Sequence, residues 1–147
     1  MYLIIFLGGA MVGQLLAALP NTIFINDRVE ASREDFLHSY PDKKWVAYTL
    51  RAVTLLSALP IFLFFMALCT GDYEKHSRAV VFFFPVFIYA GIGLATAFYE
   101  IGMGVTGYVY SNKATYMVHP NARNCGLLRI GIFVLVTIVG FYFCRLT

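Results

Sequence analysis

Three ionisable residues, Arg51, Glu100 and Arg129, stand inside stretches of the chain that are otherwise almost entirely apolar. A carboxyl group in such surroundings could carry protons or act as the counter-ion of a bound ligand, and an arginine could pair with it. An ionised side chain at the centre of a membrane-spanning helix costs about 2.5 to 3.5 kcal/mol, and less near the interface. Because partnered groups share that cost, the chemistry depends on whether the fold brings the three residues together.

The positions of these residues along their stretches predict that they meet. Arg51 comes about five residues after the second apolar stretch begins, and Glu100 about seven residues before the third one ends, so each lies roughly 8 to 10 Å below the same membrane surface. Arg129 enters the fourth stretch from that side as well. We therefore predict an intramembrane charge cluster. It could fix the register of the helices, which is the interpretation we favour, contact a partner subunit, or perform proton or ligand chemistry.

No catalytic or metal-binding pattern accompanies the cluster. The chain has three cysteines and three histidines: Cys69, Cys125, Cys144, His38, His76 and His119. The cysteines lack CxxC or metal-ligand spacing, and the histidines fall in predicted loops without a partner four residues away, so we predict free thiols, no metal and no haem. No nucleophile motif and no family signature is recognisable. The sequence thus predicts a protein without catalytic residues or a cofactor.

The composition places these residues in a membrane protein. Of the 147 residues, 60% are hydrophobic and only 13% are charged, whereas about a quarter are charged in a soluble domain. A hydrocarbon core of about 30 Å requires roughly 20 apolar residues per helix. We predict an all-α integral membrane protein with one domain, residues 1–147, and four antiparallel, up-and-down transmembrane helices at about 2–25, 46–69, 80–107 and 126–144. The first stretch lacks the basic start of a signal peptide, so we expect it to be retained.

Polar segments connect the predicted spans. The longest, residues 26–45, can begin a short interfacial helix, in which Ser32 and Asp35 resemble a capping box. Lys43, Lys44 and Trp45 follow and indicate an anchor at the membrane surface. Residues 71–78 predict a tight connection to the third span, and residues 111–124 a further polar loop.

Small residues recur at four-residue steps and predict close contacts between helices. They form one row in the first span and two rows in the third: Gly9, Gly13 and Ala17; Gly91 and Ala95; Gly93 and Ala97. Pro20 and Asn21 are expected to kink the first helix or to end its regular part.

The distribution of basic residues predicts the orientation. The first and third loops contain more lysine and arginine than the second loop and the C-terminus, so they should face the cytoplasm or the mitochondrial matrix, with both termini on the opposite side. With a net charge of +3 and no basic patch, the chain is not expected to bind nucleic acid.

Three functional hypotheses follow. The preferred one is an accessory subunit of a larger membrane complex, with the mitochondrial inner membrane as the expected setting (a respiratory-chain or ATP-synthase type). Its expected partners are other transmembrane subunits and bound phospholipid. The alternatives are a small membrane enzyme or lipid-handling protein with a pocket near Glu100 and Arg51, and a proton- or ion-conducting subunit that uses Glu100.

Overall fold

Four long helices dominate the part of the chain that the structure describes. The computed structural model describes residues 1–25, 44–70, 77–110 and 113–146, with the side chains of residues 44, 46, 47, 50, 51, 107–110 and 113–118 outside the description. The elements, in chain order, are α1 (Tyr2–Phe24), α2 (Lys44–Cys69), α3 (Arg78–Met103), β1 (Val105–Tyr110), β2 (Lys113–Val118) and α4 (Ala122–Leu146). All four helices contain a segment long and apolar enough to cross a membrane. Helices of this length and apolar character are typical of a helical membrane protein.

The third span is shorter than predicted. It was expected to reach Gly107, but α3 ends at Met103 because Gly104 adopts a left-handed conformation with φ of 65°. Glycine adopts this conformation without the steric cost that a Cβ would impose. The Gly104 N–H donates to the carbonyl oxygen of Glu100 at 3.2 Å and so closes the last turn.

A β-hairpin replaces part of the predicted third loop, so the described chain is not purely α-helical. β1 and β2 pair antiparallel, with Val105 opposite Val118 and Tyr110 opposite Lys113. The hairpin is joined to the end of α3, since the N–H of His119 donates to the carbonyl oxygen of Gly104 at 3.0 Å. The fourth helix then begins at Ala122, four residues earlier than expected.

Helix α1 lies directly against α3. A Cβ atom at Gly9 would overlap the carbonyl oxygen of Phe82, and one at Gly13 would come within 2.6 Å of Cδ2 of Tyr89. The predicted row of small residues in the first span is thus a contact face. The helix also continues through Pro20 to Phe24, so the prediction that Pro20 ends its regular part is wrong.

Helix α2 is held mainly by apolar side chains at one end of the bundle. We call this group the aromatic cluster; it comprises Phe6, Phe64, Phe65, Leu68, Val81 and Phe84. The Phe64 and Phe84 rings stack with centroids 4.2 Å apart, and the Phe6 and Phe64 rings are 5.8 Å apart. Elsewhere many apolar side chains of α2 point outward, including Leu55, which is 74% exposed. Most of the surface of α2 is therefore available to lipid or to a partner.

Trp45 lies at the opposite end of α2. Its ring is 55% exposed and meets the ring of Tyr99 edge-on, with centroids 6.1 Å apart. The predicted anchor at Lys43, the side chain of Lys44 and the interfacial helix within 26–45 lie outside the described residues.

Candidate functional site

Glu100 and Arg129 form a buried ion pair between α3 and α4. Glu100 is in the last turn of α3 and is 0% exposed, while Arg129 is 7% exposed. The Nε–H of Arg129 donates to both carboxylate oxygens of Glu100, with Nε 2.9 Å from Oε2 and 3.1 Å from Oε1. Charge-assisted hydrogen bonds of this kind are the stronger ones in proteins. The structure thus brings together two of the three residues of the predicted cluster.

Thr106 supplies a second donor to the carboxylate. Its hydroxyl donates to Oε1 of Glu100 at 2.9 Å, and the residue is 0% exposed. It can reach Glu100 because the left-handed turn at Gly104 ends α3 and lets β1 start beside the last helical turn. A continuous helix would have carried Thr106 about 9 Å further along the axis. The helix stop is therefore what completes the coordination of the carboxylate.

The remaining nitrogens of Arg129 bind α1. Nη1 donates to the backbone carbonyl oxygen of Ala17 at 2.6 Å, and Nη2 donates to Oδ1 of Asn21 at 2.8 Å. A single guanidinium thus connects three helices, which its planar array of five N–H donors permits and a lysine ammonium would not reproduce. Among the residues that the structure describes, no buried side-chain nitrogen or oxygen lacks a hydrogen-bond partner.

A second layer of contacts joins α1 to the start of α4. The side-chain amide of Asn121 donates to the carbonyl oxygen of Phe24 at 3.1 Å, which satisfies one of the free carbonyls at the end of α1. The thiol of Cys125 lies 3.5 Å from the carbonyl oxygen of Pro20. Nδ1 of His119 accepts the N–H of Asn121 at 3.1 Å and holds the turn that leads into α4. These contacts fix the depth at which α4 presents Arg129.

Two glycines lie beside the pair, and the close approach of the helices requires a glycine at one of them, Gly126. A Cβ at Gly126 would lie 2.7 Å from Cγ1 of Ile101 and 3.1 Å from Cβ of Glu100, so α4 approaches α3 closely here. A Cβ at Gly93 would lie 3.9 Å from Arg129, so the side chain of Arg129 passes over the backbone of α3. Small residues at such positions are typical of helix contacts in lipid.

The other predicted site residues have mixed outcomes. Arg51 belongs to α2, but its side chain lies outside the described residues, so its place in the triad stays a prediction. Ala97 is buried, whereas a Cβ at Gly91 would have no heavy atom within 4 Å among the described residues. Among the described residues, no close packing at Gly91 is therefore seen. Ala95 is half-buried, and its predicted role in helix packing stays a prediction.

The sequence interpretation missed Thr106, Asn21 and Asn121. The sequence predicts Thr106 in a continuing third helix and Asn121 in a loop, and it predicts that Asn21 kinks the first helix or ends its regular part. The sequence does contain a signal for the position of Thr106. Gly104 can end a helix, and the segment after it, Val105–Tyr110, is rich in the β-branched and aromatic residues that favour a strand. No comparable local signal identifies Asn21, since its role depends on an arginine 108 positions away.

Glu100, Arg129 and Thr106 together form an ion pair that is buried from solvent. Glu100 has no accessible surface, and its donors among the described residues are the Thr106 hydroxyl and Nε of Arg129. Among the residues that the structure describes, no group of three or more histidine, cysteine and acidic side chains could hold a metal ion. The described cysteines are free thiols, of which Cys125 is buried. The group can hold three helices at one depth.

Comparisons with protein-family models, with curated proteins and with solved structures give no match to this chain.

Proposed function

We propose that this protein is an architectural subunit of a larger integral-membrane complex and that the Glu100–Arg129 pair locks its helices in register. The observation that carries the proposal is the closure of the pair. A carboxylate that bound substrate or passed protons would need access to water or ligand, whereas Glu100 is 0% exposed. An enclosed carboxylate that is bonded to an arginine and a threonine of its own chain suits a helix lock better than a proton path or a ligand pocket.

The outer surface supports a role in assembly. Large apolar side chains that are more than half exposed occur on all four of the described helices, among them Ile4 (74%), Leu56 (68%) and Phe98 (73%). In a bilayer such faces meet lipid tails or the helices of other subunits, and neither contact needs further polar groups. The chain therefore offers broad docking surfaces around a core that holds its own charges.

A groove on α4 suits a bound phospholipid. It has a volume of about 390 Å³ and is lined by residues spaced along one face of the helix: Thr137, Ile138, Phe141, Tyr142 and Arg145. Arg145 lies in the last turn of α4. An acyl chain could lie along the apolar part while the phosphate group meets the guanidinium near the membrane surface.

The order of contacts supports an up-and-down arrangement of the four helices. Trp45 lies beside Tyr99 while Phe64 lies beside Phe84, so α2 and α3 advance in opposite directions. Gly126 meets Ala97 while Gly140 meets Phe87, as expected if α3 and α4 are also antiparallel. Both termini would then be on one side, opposite the basic first and third loops. As the setting we propose the mitochondrial inner membrane, whose complexes contain many small helical subunits.

The proposal is tested by removing the chain from its native membrane and by restoring variants of it. The amount of one discrete complex, measured after solubilisation in mild detergent, should fall without the chain and recover with the wild type. Glu100→Leu alone should restore it poorly, because the variant leaves Arg129 buried without its counter-ion. The double variant Glu100→Leu/Arg129→Leu should restore it, because apolar residues can replace a structural ion pair.

Two results would contradict the proposal. One is a chain that migrates without any other subunit in mild detergent. The other is a complex that assembles normally with the double variant but has lost proton-coupled or catalytic activity. The second result would support the conducting or enzymatic alternatives, because the carboxylate would then be needed for chemistry and not for assembly.

A further inference from the structure

Gln14 is a polar side chain on the outer surface of α1, next to the midpoint of that helix. At 1.5 Å per residue it lies roughly 15 to 18 Å from the two helix ends, which is the centre of the hydrocarbon core. Its neighbours on this face are apolar, and Met11 and Leu15 are 65% and 68% exposed. A side-chain amide is thus displayed where lipid offers it no hydrogen bond.

The bundle satisfies only part of this amide. Nε2 of Gln14 donates to the Tyr89 hydroxyl oxygen at 2.9 Å, and this is its hydrogen bond within the part of the chain that the structure describes. A carboxamide has two N–H donors and an oxygen with two lone pairs. One donor and the carbonyl oxygen of Gln14 therefore remain available on an exposed residue.

We propose that this face of α1 binds the same face of a second copy of the chain, with the two Gln14 amides bonded to each other. Two copies inserted in the same orientation and related by a twofold axis along the membrane normal place each residue at the depth of its twin. A second copy therefore presents a carboxamide at the required level. An amide pair also matches each free N–H with a free carbonyl oxygen, so both available groups are used at once.

The shape of the face allows the two helices to approach. Ala10 and Ala18 lie one helical step of four residues before and after Gln14, and Ala18 is exposed while Ala10 is half-buried. Small residues on either side of a polar one permit the close backbone contact that helix pairs in lipid use. The neighbouring row, Gly9, Gly13 and Ala17, is already occupied by α3 and α4. The proposal goes beyond the assigned architectural role, and that role does not depend on it.

The test measures self-association of the full chain in phosphatidylcholine vesicles. Copies labelled separately with donor and acceptor fluorophores are mixed, and energy transfer is followed as the ratio of protein to lipid is varied. The wild type should show saturable association, and Gln14→Leu should weaken it roughly 5- to 30-fold, the range expected for one interhelical polar contact. Gln14→Asn, which keeps a carboxamide, should retain most of the association.

Tyr89→Phe is the matched control. It removes the same hydrogen bond within the chain but leaves the Gln14 amide in place, so association should equal or exceed that of the wild type. The proposal is overturned if Gln14→Leu associates as well as the wild type, or if Tyr89→Phe is as defective as Gln14→Leu. A wild-type chain that remains monomeric in vesicles also overturns it and would leave another subunit or lipid as the occupant of this face.

Discussion

The two ends of the bundle are held together by different forces. At one end the Glu100 carboxylate, the Arg129 guanidinium and the Thr106 hydroxyl meet through directional hydrogen bonds of 2.9 to 3.1 Å. At the other end the aromatic cluster joins α1, α2 and α3 through ring contacts such as the Phe64–Phe84 stack. Both groups are internal contacts that involve α1 and α3, the first with α4 and the second with α2, but only the first contains groups that lipid cannot replace.

This difference shows where the specificity of a membrane bundle can reside. In water, burial of the aromatic cluster would be favoured by the hydrophobic effect, but lipid tails are as apolar as the rings and remove that driving force. What remains for the rings is shape and dispersion. A broken ion pair, by contrast, leaves a charge with no partner in a medium that cannot solvate it. We therefore expect the polar end to fix the helix positions and the aromatic end to add smaller, more replaceable contributions.

The largest effect should come from replacing Arg129. Arg129→Leu leaves Glu100 buried without its counter-ion and removes the hydrogen bonds to Ala17 and Asn21, so the free energy of unfolding should fall by about 3 to 5 kcal/mol. The free energy of unfolding can be measured by SDS titration of the purified chain in mild detergent micelles. Arg123→Leu is the control, since Arg123 is exposed in the first turn of α4.

The double variant Glu100→Leu/Arg129→Leu should recover most of the lost stability. It removes both charges together, and the Thr106 hydroxyl already lies 3.4 Å from Oδ1 of Asn21, so these two polar groups can satisfy each other. If the double variant were as unstable as Arg129→Leu alone, the loss would come from the missing arginine contacts to α1 and not from the unpaired carboxylate.

Part of this arrangement could be predicted from the sequence. The four spans follow from hydropathy and length, and the rise per residue brought Glu100 and Arg129 to one depth, where the structure pairs them. Asn21 could not be predicted as a partner because its contact with Arg129 depends on how two distant helices are rotated against each other. The position of Thr106 depends on a single left-handed residue, Gly104, which hydropathy does not detect because apolar and aromatic residues continue after it through Val109 and Tyr110.

Substitution of contact glycines should have an intermediate effect at both ends. Gly9→Ala places a methyl group against the Phe82 backbone carbonyl, and Gly126→Ala places one against Ile101 and Glu100. Overpacking of this kind typically costs about 1 to 3 kcal/mol. Gly9→Ala should cost more, because a backbone oxygen cannot move aside as the end of the Ile101 side chain can. The same SDS titration measures both variants.

Two other glycines are matched controls for these changes. A Cβ at Gly91 or Gly131 would have no heavy atom within 4 Å among the described residues. Alanine there should be neutral or slightly stabilising, since it is a better helix former than glycine by about 1 kcal/mol. A uniform loss of stability at all four positions would mean that glycine acts through the helix backbone and not through close contact between helices.

The smallest effect should come from the aromatic end. Phe64→Leu removes the stack on Phe84 but keeps an apolar side chain, and lipid or neighbouring rings can fill the space, so a loss of less than about 1 kcal/mol is expected. Phe62→Leu is the control, since Phe62 is 57% exposed.

Two double-mutant cycles compare the ends directly. One cycle combines Phe64→Leu with Phe84→Leu, and the other combines Glu100→Leu with Arg129→Leu; each gives the coupling energy between the two side chains. If the coupling energy of the aromatic pair were as large as that of the ion pair, packing alone would fix the helices and the distinction between the two ends would fail. A coupling several times larger for the ion pair would show that lipid penalises the separation of two charged partners far more than the separation of two rings.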